Sequence, residues 1–333
     1  MYKVKLTVYP NYKGINRQAP KGSFVWGDYK FYINEEVEEA DFWAVFCKDM
    51  DGGEETCLVA PENTMFFPTE PESVYHYARK FTDQFGKIVS CRSDIKHMNV
   101  VMDQPCLGWY CGRVGQHDSE VTYSRGYDEF KTDRPEKTKL ISVISSNKCF
   151  TKGHRDRIAF VQKLKEHYGD KLEIFGKGFN GFDDKWDVVA PYKYHIALEN
   201  SSEPYYWTEK LADSFLGNAF TFYYGCPNVG EYFSENAYRA IDIHDPEGAI
   251  RIIDEALAGD FAGRYAEDVE TAKQQVLDEY NIFPMVIKHL QDMNPKAEKR
   301  QVTIKSDMKF FDLKKYFIVL GRVWSTLQYK LSK

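Results

Sequence analysis

The sequence predicts an α/β protein of two units, each built on a mostly parallel sheet. Three observations carry that expectation. Short apolar runs alternate with helical stretches along most of the chain. Several of the runs end in glycine or polar residues, the kind of strand exit where α/β proteins hold ligands. The chain has 333 residues, too many for one typical domain and suited to two. A polar, proline-containing stretch, RGYDEFKTDRPEKT (125–138), reads as the linker. The expected organisation is a first α/β unit over 1–135, a second α/β unit over 136–300 and a basic amphipathic tail over 301–333, with a cleft between the two units.

In chain order, residues 3–9 alternate as a first strand, and ADFWAVF (40–46), CLVA (57–60) and TMFFPTE (64–70) are further short strands. ESVYHYARKFTDQF (72–85) has helical spacing and an acidic start, which suits a helix N-terminus. KIVSC (87–91) is another strand. Beyond the linker, KLISVISSN (139–147) opens the second run. RDRIAFVQKLKEHYG (155–169) is a helix with Gly169 as its stop. LEIFGKG (172–178), YHIALEN (194–200), the helix TEKLADSFLGN, AFTFYYG (219–225) and YRAIDIH (238–244) complete it.

Composition bounds the partners. Hydrophobic content of 43% and charged content of 28% describe a soluble globular chain with an ordinary core. Net charge is −6, which argues against broad nucleic-acid binding. Residues 305–333 carry seven Lys/Arg and two Asp, a local +5. Seven scattered cysteines without a CxxC pair point to reduced thiols in the cytosol and against a zinc site. MYKVKLTVYP reads as a strand and not a signal peptide, and no apolar run approaches the ~20 residues of a membrane span. A cytoplasmic location is expected, with peripheral contact to the inner membrane face as an option for the tail.

ENSSEPYYWTEK (199–210) stands at a strand-to-helix joint. A helix opening at Trp207 or Thr208 would point free N–H groups at an anion, with Lys210 one turn in. Glu209 is then either a first-turn cap or a carboxylate facing a sugar or a developing cation. Arg155 and Arg157 open the helix after KLISVISSN and could hold a pyrophosphate. FFPTEPES (66–73) places Glu70 between two prolines at a strand exit, a stiffened carboxylate that could act as a general base or simply occupy a rigid turn. DMDGGEE (49–55), Asp183-Asp184 and DIHDPE (242–247) read as surface turns, and the eight His show no ligand spacing.

YKYHIALENSSEPYYWTEKLADSFLGNAFTFYYGCPNV (192–229) resembles the signature of the α-1,3-fucosyltransferases: E-N-S, a short insert, Y-x-T-E-K, a helix and a G-x-P turn. SSN (145–147), Arg157, IFGKG with Gly176, and FFPTEPES follow in that family's order. Departures are Trp207 before Thr-Glu-Lys, Thr221-Phe222 in the following strand and Pro204 in the insert. The resemblance implies a GT-B fold and inverting transfer of fucose from GDP-fucose to an N-acetylglucosamine-type residue of a cell-surface glycan, with neither metal nor cofactor. It implies Arg157, Asn200, Tyr206, Glu209, Lys210 and Gly176 at the donor, with Glu209 facing the fucosyl ring and Glu70 as base. Trp207 leaves another GDP-sugar as the alternative donor, and a non-catalytic glycan- or nucleotide-binding protein is a third reading. Leu313, Phe317, Leu320, Trp324, Leu327 and Leu331 form one apolar stripe on a helix, which either packs on the protein or lies, through residues 309–333, on an anionic membrane.

Overall fold

The computed structural model describes residues 1–8, 14–46, 53–72, 75–106, 108–115, 121–147, 152–315, 317–318, 320–321 and 323–324. Most of DMDGGEE, Cys47, Cys149 and the tail residues Leu327, Leu331 and Lys330 lie outside the described residues. The chain forms two compact units, Met1–Gly108 with Tyr280–Gly321 and Trp109–Glu279 with Arg322–Lys333.

In unit 1 the strands are β1 (Tyr2–Thr7), β2 (Val25–Trp26), β3 (Tyr29–Ile33), β4 (Phe42–Val45), β5 (Glu54–Val59), β6 (Thr64–Phe66), β7 (Lys87–Ser90) and β8 (Val100–Met102), with a short helix α1 (Arg79–Thr82). Seven of them form one sheet in the order β2-β3-β1-β4-β6-β7-β8. It is parallel except for the β2–β3 pair. β4 is buried along its whole length, as continuous apolar strands of a covered parallel sheet are.

In unit 2 follow β9 (Arg113–Val114), β10 (Thr122–Tyr123), α2 (Tyr127–Thr132), β11 (Lys139–Ile144), α3 (Lys152–Tyr168), β12 (Leu172–Phe175), α4 (Trp186–Val189), β13 (Tyr192–Leu198), α5 (Glu209–Leu216), β14 (Phe220–Tyr224), β15 (Tyr238–Ala240), α6 (Pro246–Ala258), α7 (Phe261–Arg264) and α8 (Ala266–Asp278). β11 to β15 make an all-parallel five-stranded sheet in the order β12-β11-β13-β14-β15. Its order reverses beside β11, a switch point that opens a crevice at the strands' carboxyl ends. The chain then returns to unit 1 with α9 (Ile282–Leu290) and β16 (Arg300–Lys305), which pairs antiparallel with β5.

Three elements differ from the sequence reading. The 125–138 stretch is no linker. It contains α2, whose Phe130 is fully buried against Trp109 and Trp186. Its Tyr127 and Lys131 both bind Asp278 of α8. Secondly, residues 280–305 are not part of the second unit. Ile282, Phe283, Met285 and Val286 cover the β1–β3 face, packing with Val4, Leu6 and Phe31, because that apolar face would otherwise meet water. Thirdly, the helix read over 72–85 shrinks to Arg79–Thr82. The Tyr75 carbonyl is taken by Arg92 and the Ala78 N–H by Asp307, so backbone groups a helix would use are engaged elsewhere.

Candidate functional site

Strand β13 ends at Leu198, and the two residues beyond it diverge. Glu199 is fully buried, whereas Asn200 is half-buried on the wall of a cavity. The chain then makes a loop in which Tyr205 takes the left-handed conformation (φ 63°), held by an Asn228 side chain that accepts from its N–H at 2.7 Å. It returns at Thr208, the N-cap of α5. There the Glu199 carboxylate accepts from the Thr208 N–H at 2.8 Å and from the Thr208 hydroxyl at 2.9 and 2.8 Å. The anion at this helix start is thus the protein's own. The expected fan of free N–H groups is partly occupied, because Thr208 donates to Glu199 and the Lys210 N–H to the Thr208 hydroxyl.

Lys210 folds back over the same turn. Its Nζ lies 3.0 Å from Thr208 Oγ1, 3.1 Å from Glu209 and 3.2 Å from Glu199. Burial opposes the charge on Lys210, but Glu199 and Glu209 outweigh it and raise its pKa. Burial likewise would raise the Glu209 carboxyl, yet Lys210 and then Lys185 bring it down to about 2. Glu209 is therefore ionised at neutral pH. Glu199, with no exposed surface, is pushed up by burial against the pull of Lys210. Lys185 is held by Asp213 at 2.8 Å, and Asp213 also accepts from the Tyr110 and Cys111 N–H groups at 3.1 and 3.0 Å. Lys185 and Asp213 had no place in the sequence reading. The spacing of Asp213 four residues after Glu209 on one helix was the available signal.

Lys185, Glu209, Lys210 and Asp213 line a cavity of about 380 Å³ at the carboxyl ends of β11 and β13. Arg157, from the second turn of α3, also faces it and is 7% exposed. It donates through Nη1 to the Leu198 carbonyl at 3.1 Å, and its Nε has no partner. Burial lowers its pKa, with Glu199 acting the other way. Arg155 does not line the cavity. Gly176 does, with φ +119°, and a Cβ there would lie 2.0 Å from the Ser145 carbonyl oxygen, so only glycine lets β12 close against the end of β11. His195 forms part of the wall. It is held by Ser142 at 2.8 Å and kept neutral, since burial and then Lys185 depress it to about 3. Tyr206 is 3% exposed, packed behind the cavity within electrostatic reach of Arg157 and Lys210.

Other predicted positions fall elsewhere. Trp207 is buried edge-on against Tyr232 and Phe233, so it is core and does not line the cavity. Thr221 is buried in β14 with its hydroxyl 2.6 Å from Ser214. Asp184 is no surface turn. It is buried and accepts from the Gly112 and Trp186 N–H groups and the Ser124 hydroxyl at 2.8, 2.8 and 2.6 Å. Glu70 belongs to unit 1 and is half-buried in the loop after β6. Its carbonyl accepts from Arg92 at 2.9 Å. Among the described residues no group of three or more His, Cys, Asp or Glu is placed to hold a metal ion.

An all-parallel sheet with charged side chains gathered at its carboxyl edge gives unit 2 a Rossmann-like architecture. Residues 134–246, about a third of the chain, match the family Glycosyltransferase family 10 (fucosyltransferase), C-terminal part. The resemblance carried by 192–229 thus extends from the end of α2 to the start of α6, and this part of unit 2 is similar to the fucosyltransferases of that family. Comparison with curated proteins gives no match. Among solved structures, an α1,3-fucosyltransferase with GDP-fucose is 16% identical over 81% of each chain, with a TM-score of 0.45. A glycosyltransferase from Rickettsia africae is 12% identical over 87% of this chain and 97% of its own, at 0.47. An α-glucosyltransferase in complex with UDP-glucose and DNA is 8% identical over 87% and 98%, at 0.49. Scores this low add nothing to the family match.

The buried neutral His195 generates a pH prediction. Its folded pKa of about 3 lies below the ordinary 6.5, so between those values the unfolded chain binds the extra proton. Stability should fall as pH drops through that window, by up to about 1.4 kcal/mol per pH unit from this residue. Urea unfolding of wild type and His195→Gln at pH 4, 5 and 6 checks it. An equal slope in both proteins would mean that His195 is charged when folded.

Proposed function

We propose that unit 2 binds GDP-fucose and that the enzyme transfers the fucosyl group, with inversion, to a hydroxyl of an N-acetylglucosamine-type residue in a cell-surface glycan. The observation that supports this best is Arg157. It is a buried guanidinium with donor capacity facing the cavity, next to Lys210 and within the segment that matches the fucosyltransferases. Arg157 takes the pyrophosphate with two of its N–H groups. Lys210, held in place by Glu199, adds charge at the leaving oxygen. Glu209 is ionised and suits the positive character that develops on the sugar ring as its bond to GDP breaks. Asn200 holds donor oxygens and Gly176 lets the backbone approach, while Tyr206, packed behind the cavity, does not reach the donor as the resemblance implied. Glu70, the base that the resemblance implies, removes the proton of the acceptor hydroxyl, and the freed oxygen attacks the anomeric carbon. The departing charge rests on these cationic groups, with no cofactor in the scheme. Trp207 was the motive for a different GDP-sugar, and its burial removes that motive.

Two measurements test the reading. Arg157→Ala should weaken GDP binding by about 1.5–3 kcal/mol, roughly ten- to 150-fold, by calorimetry without acceptor. Unchanged affinity would place the phosphates elsewhere. Glu70→Gln should leave GDP affinity as it is and lower turnover of GDP-fucose by about two to four orders of magnitude. A variant that keeps most of its turnover would take Glu70 out of the mechanism.

We also propose that the tail lies on an anionic membrane surface. Residues 313–315, 317–318, 320–321 and 323–324 are helical, and Leu313, Phe317, Leu320 and Trp324, the described part of the stripe, are 61–68% exposed, which supports this reading over packing on the protein. The +5 of residues 305–333 on a chain of −6 complements anionic lipid. Among the described residues no helix is long and apolar enough to cross a membrane. The intact protein should float with phosphatidylserine-containing vesicles at low salt and not with neutral ones. Failure to float would end this proposal.

A further inference from the structure

The loop that carries Glu70 is fastened from two sides within unit 1. On one side stands Arg92, 1% exposed, its guanidinium locked by two hydrogen bonds of 2.8 and 2.7 Å to Asp94. Its remaining arm, Nη1, donates to the carbonyls of Glu70 and Tyr75 at 2.9 and 2.7 Å. Next to Glu70, the Thr69 N–H donates to the Tyr77 hydroxyl at 3.3 Å, and the Tyr77 ring lies under the Arg92 guanidinium at 5.1 Å.

On the other side stands a segment more than 200 residues away in sequence. Asp307 has no exposed surface. Its carboxylate accepts from the Tyr75 hydroxyl at 2.6 Å and the Ala78 N–H at 3.0 Å, and pairs with Lys315 at 2.7 Å. Lys315 also donates to the carbonyls of Asp307 and Phe310, at 2.9 and 3.2 Å, which closes the segment on itself. Lys314 pairs with Glu72 at 3.0 Å, and Asp312 lies 3.4 Å from His76. Tyr75 is the residue both sides share. Its carbonyl is held by Arg92 and its hydroxyl by Asp307. A buried carboxylate with three donors is costly to rearrange, because any donor that leaves exposes part of its charge without a partner.

We infer that Ser306–Lys315 is a buckle that sets the position of Glu70, with Asp307 as the positioning residue. The inference rests on the reading of Glu70 as the general base. Lys314 and Lys315 are also the first turn of the exposed helical stretch that starts at residue 313.

Two mild variants test it in the full-length protein. Tyr75→Phe removes the loop's donor to Asp307, and Lys315→Met removes the cation, while Asp307 itself stays. Hydrogen exchange of the peptide spanning 68–78 should speed up on the order of tenfold in both, with β1 unchanged. Turnover should fall between about tenfold and a hundredfold with GDP affinity unaltered, since a small misplacement of a catalytic group costs that much. In a Glu70→Gln background Tyr75→Phe should cause no further fall, because the buckle acts through Glu70. Unchanged exchange in both variants overturns the buckle. The same fall repeated in the Glu70→Gln background overturns its link to the base. Full turnover in Glu70→Gln alone overturns the base reading and with it the catalytic role of the buckle, while faster exchange in Tyr75→Phe would still support the fastening itself.

Discussion

The site depends on one buried carboxylate. Glu199 sits at the end of β13 with no exposed surface, and an ion in that position is costly unless its lone pairs are met. They are met by the N–H and hydroxyl of Thr208 and by the Lys210 ammonium. Those partners fix where α5 begins, since Thr208 is its N-cap, and fix which way Lys210 turns. Glu209, between them in sequence, is thereby placed against Lys210 and ionised well below the usual carboxylate range. The ENS and TEK triplets are thus two halves of one interaction, separated by a loop whose length lets the chain come back to the strand end it left.

The surrounding charges follow the same logic. The buried Asp213, a helical turn further along α5, pairs with the half-buried Lys185 and uses its other capacity to hold the backbone of Tyr110 and Cys111. Asp184 does likewise for Gly112 and Ser124. Carboxylates of unit 2 therefore fasten the segment that enters it. Arg157 is the contrast. It is buried, it has one carbonyl partner, and its Nε is unsatisfied, so it keeps donor capacity that the fold does not use.

The strands and the main helices of unit 2 were legible because their signals are local. KLISVISSN, LEIF and YHIAL are short apolar runs, and the helix over 155–169 carries a 3.6-residue period with a glycine at its end, where Gly169 has φ +53°. The segment 125–138 misled because its charges and proline outweigh one phenylalanine by count, although Phe130 is buried and, with Tyr127 and Lys131 bound to Asp278, anchors α2. Residues 72–85 misled in the opposite way. The helical period is present, but Tyr75 and Ala78 give their backbone groups to Arg92 and Asp307. No window of neighbouring residues contains either partner.

By itself the sequence determined the α/β class, the parallel sheet of the second unit, the strand-to-helix joint at 199–210 and the residue types gathered there, because periodicity, caps and a specific motif are all encoded within a few residues of one another. Only the tertiary structure decided that Trp207 is core, that Lys185 and Asp213 join the site, that the anion at the start of α5 is Glu199, and that 280–305 belongs with the first unit. The physical reason is common to all four. Burial and charge pairing act between groups brought together by the fold, and their strength depends on distance in space and on the water excluded, neither of which spacing along the chain records.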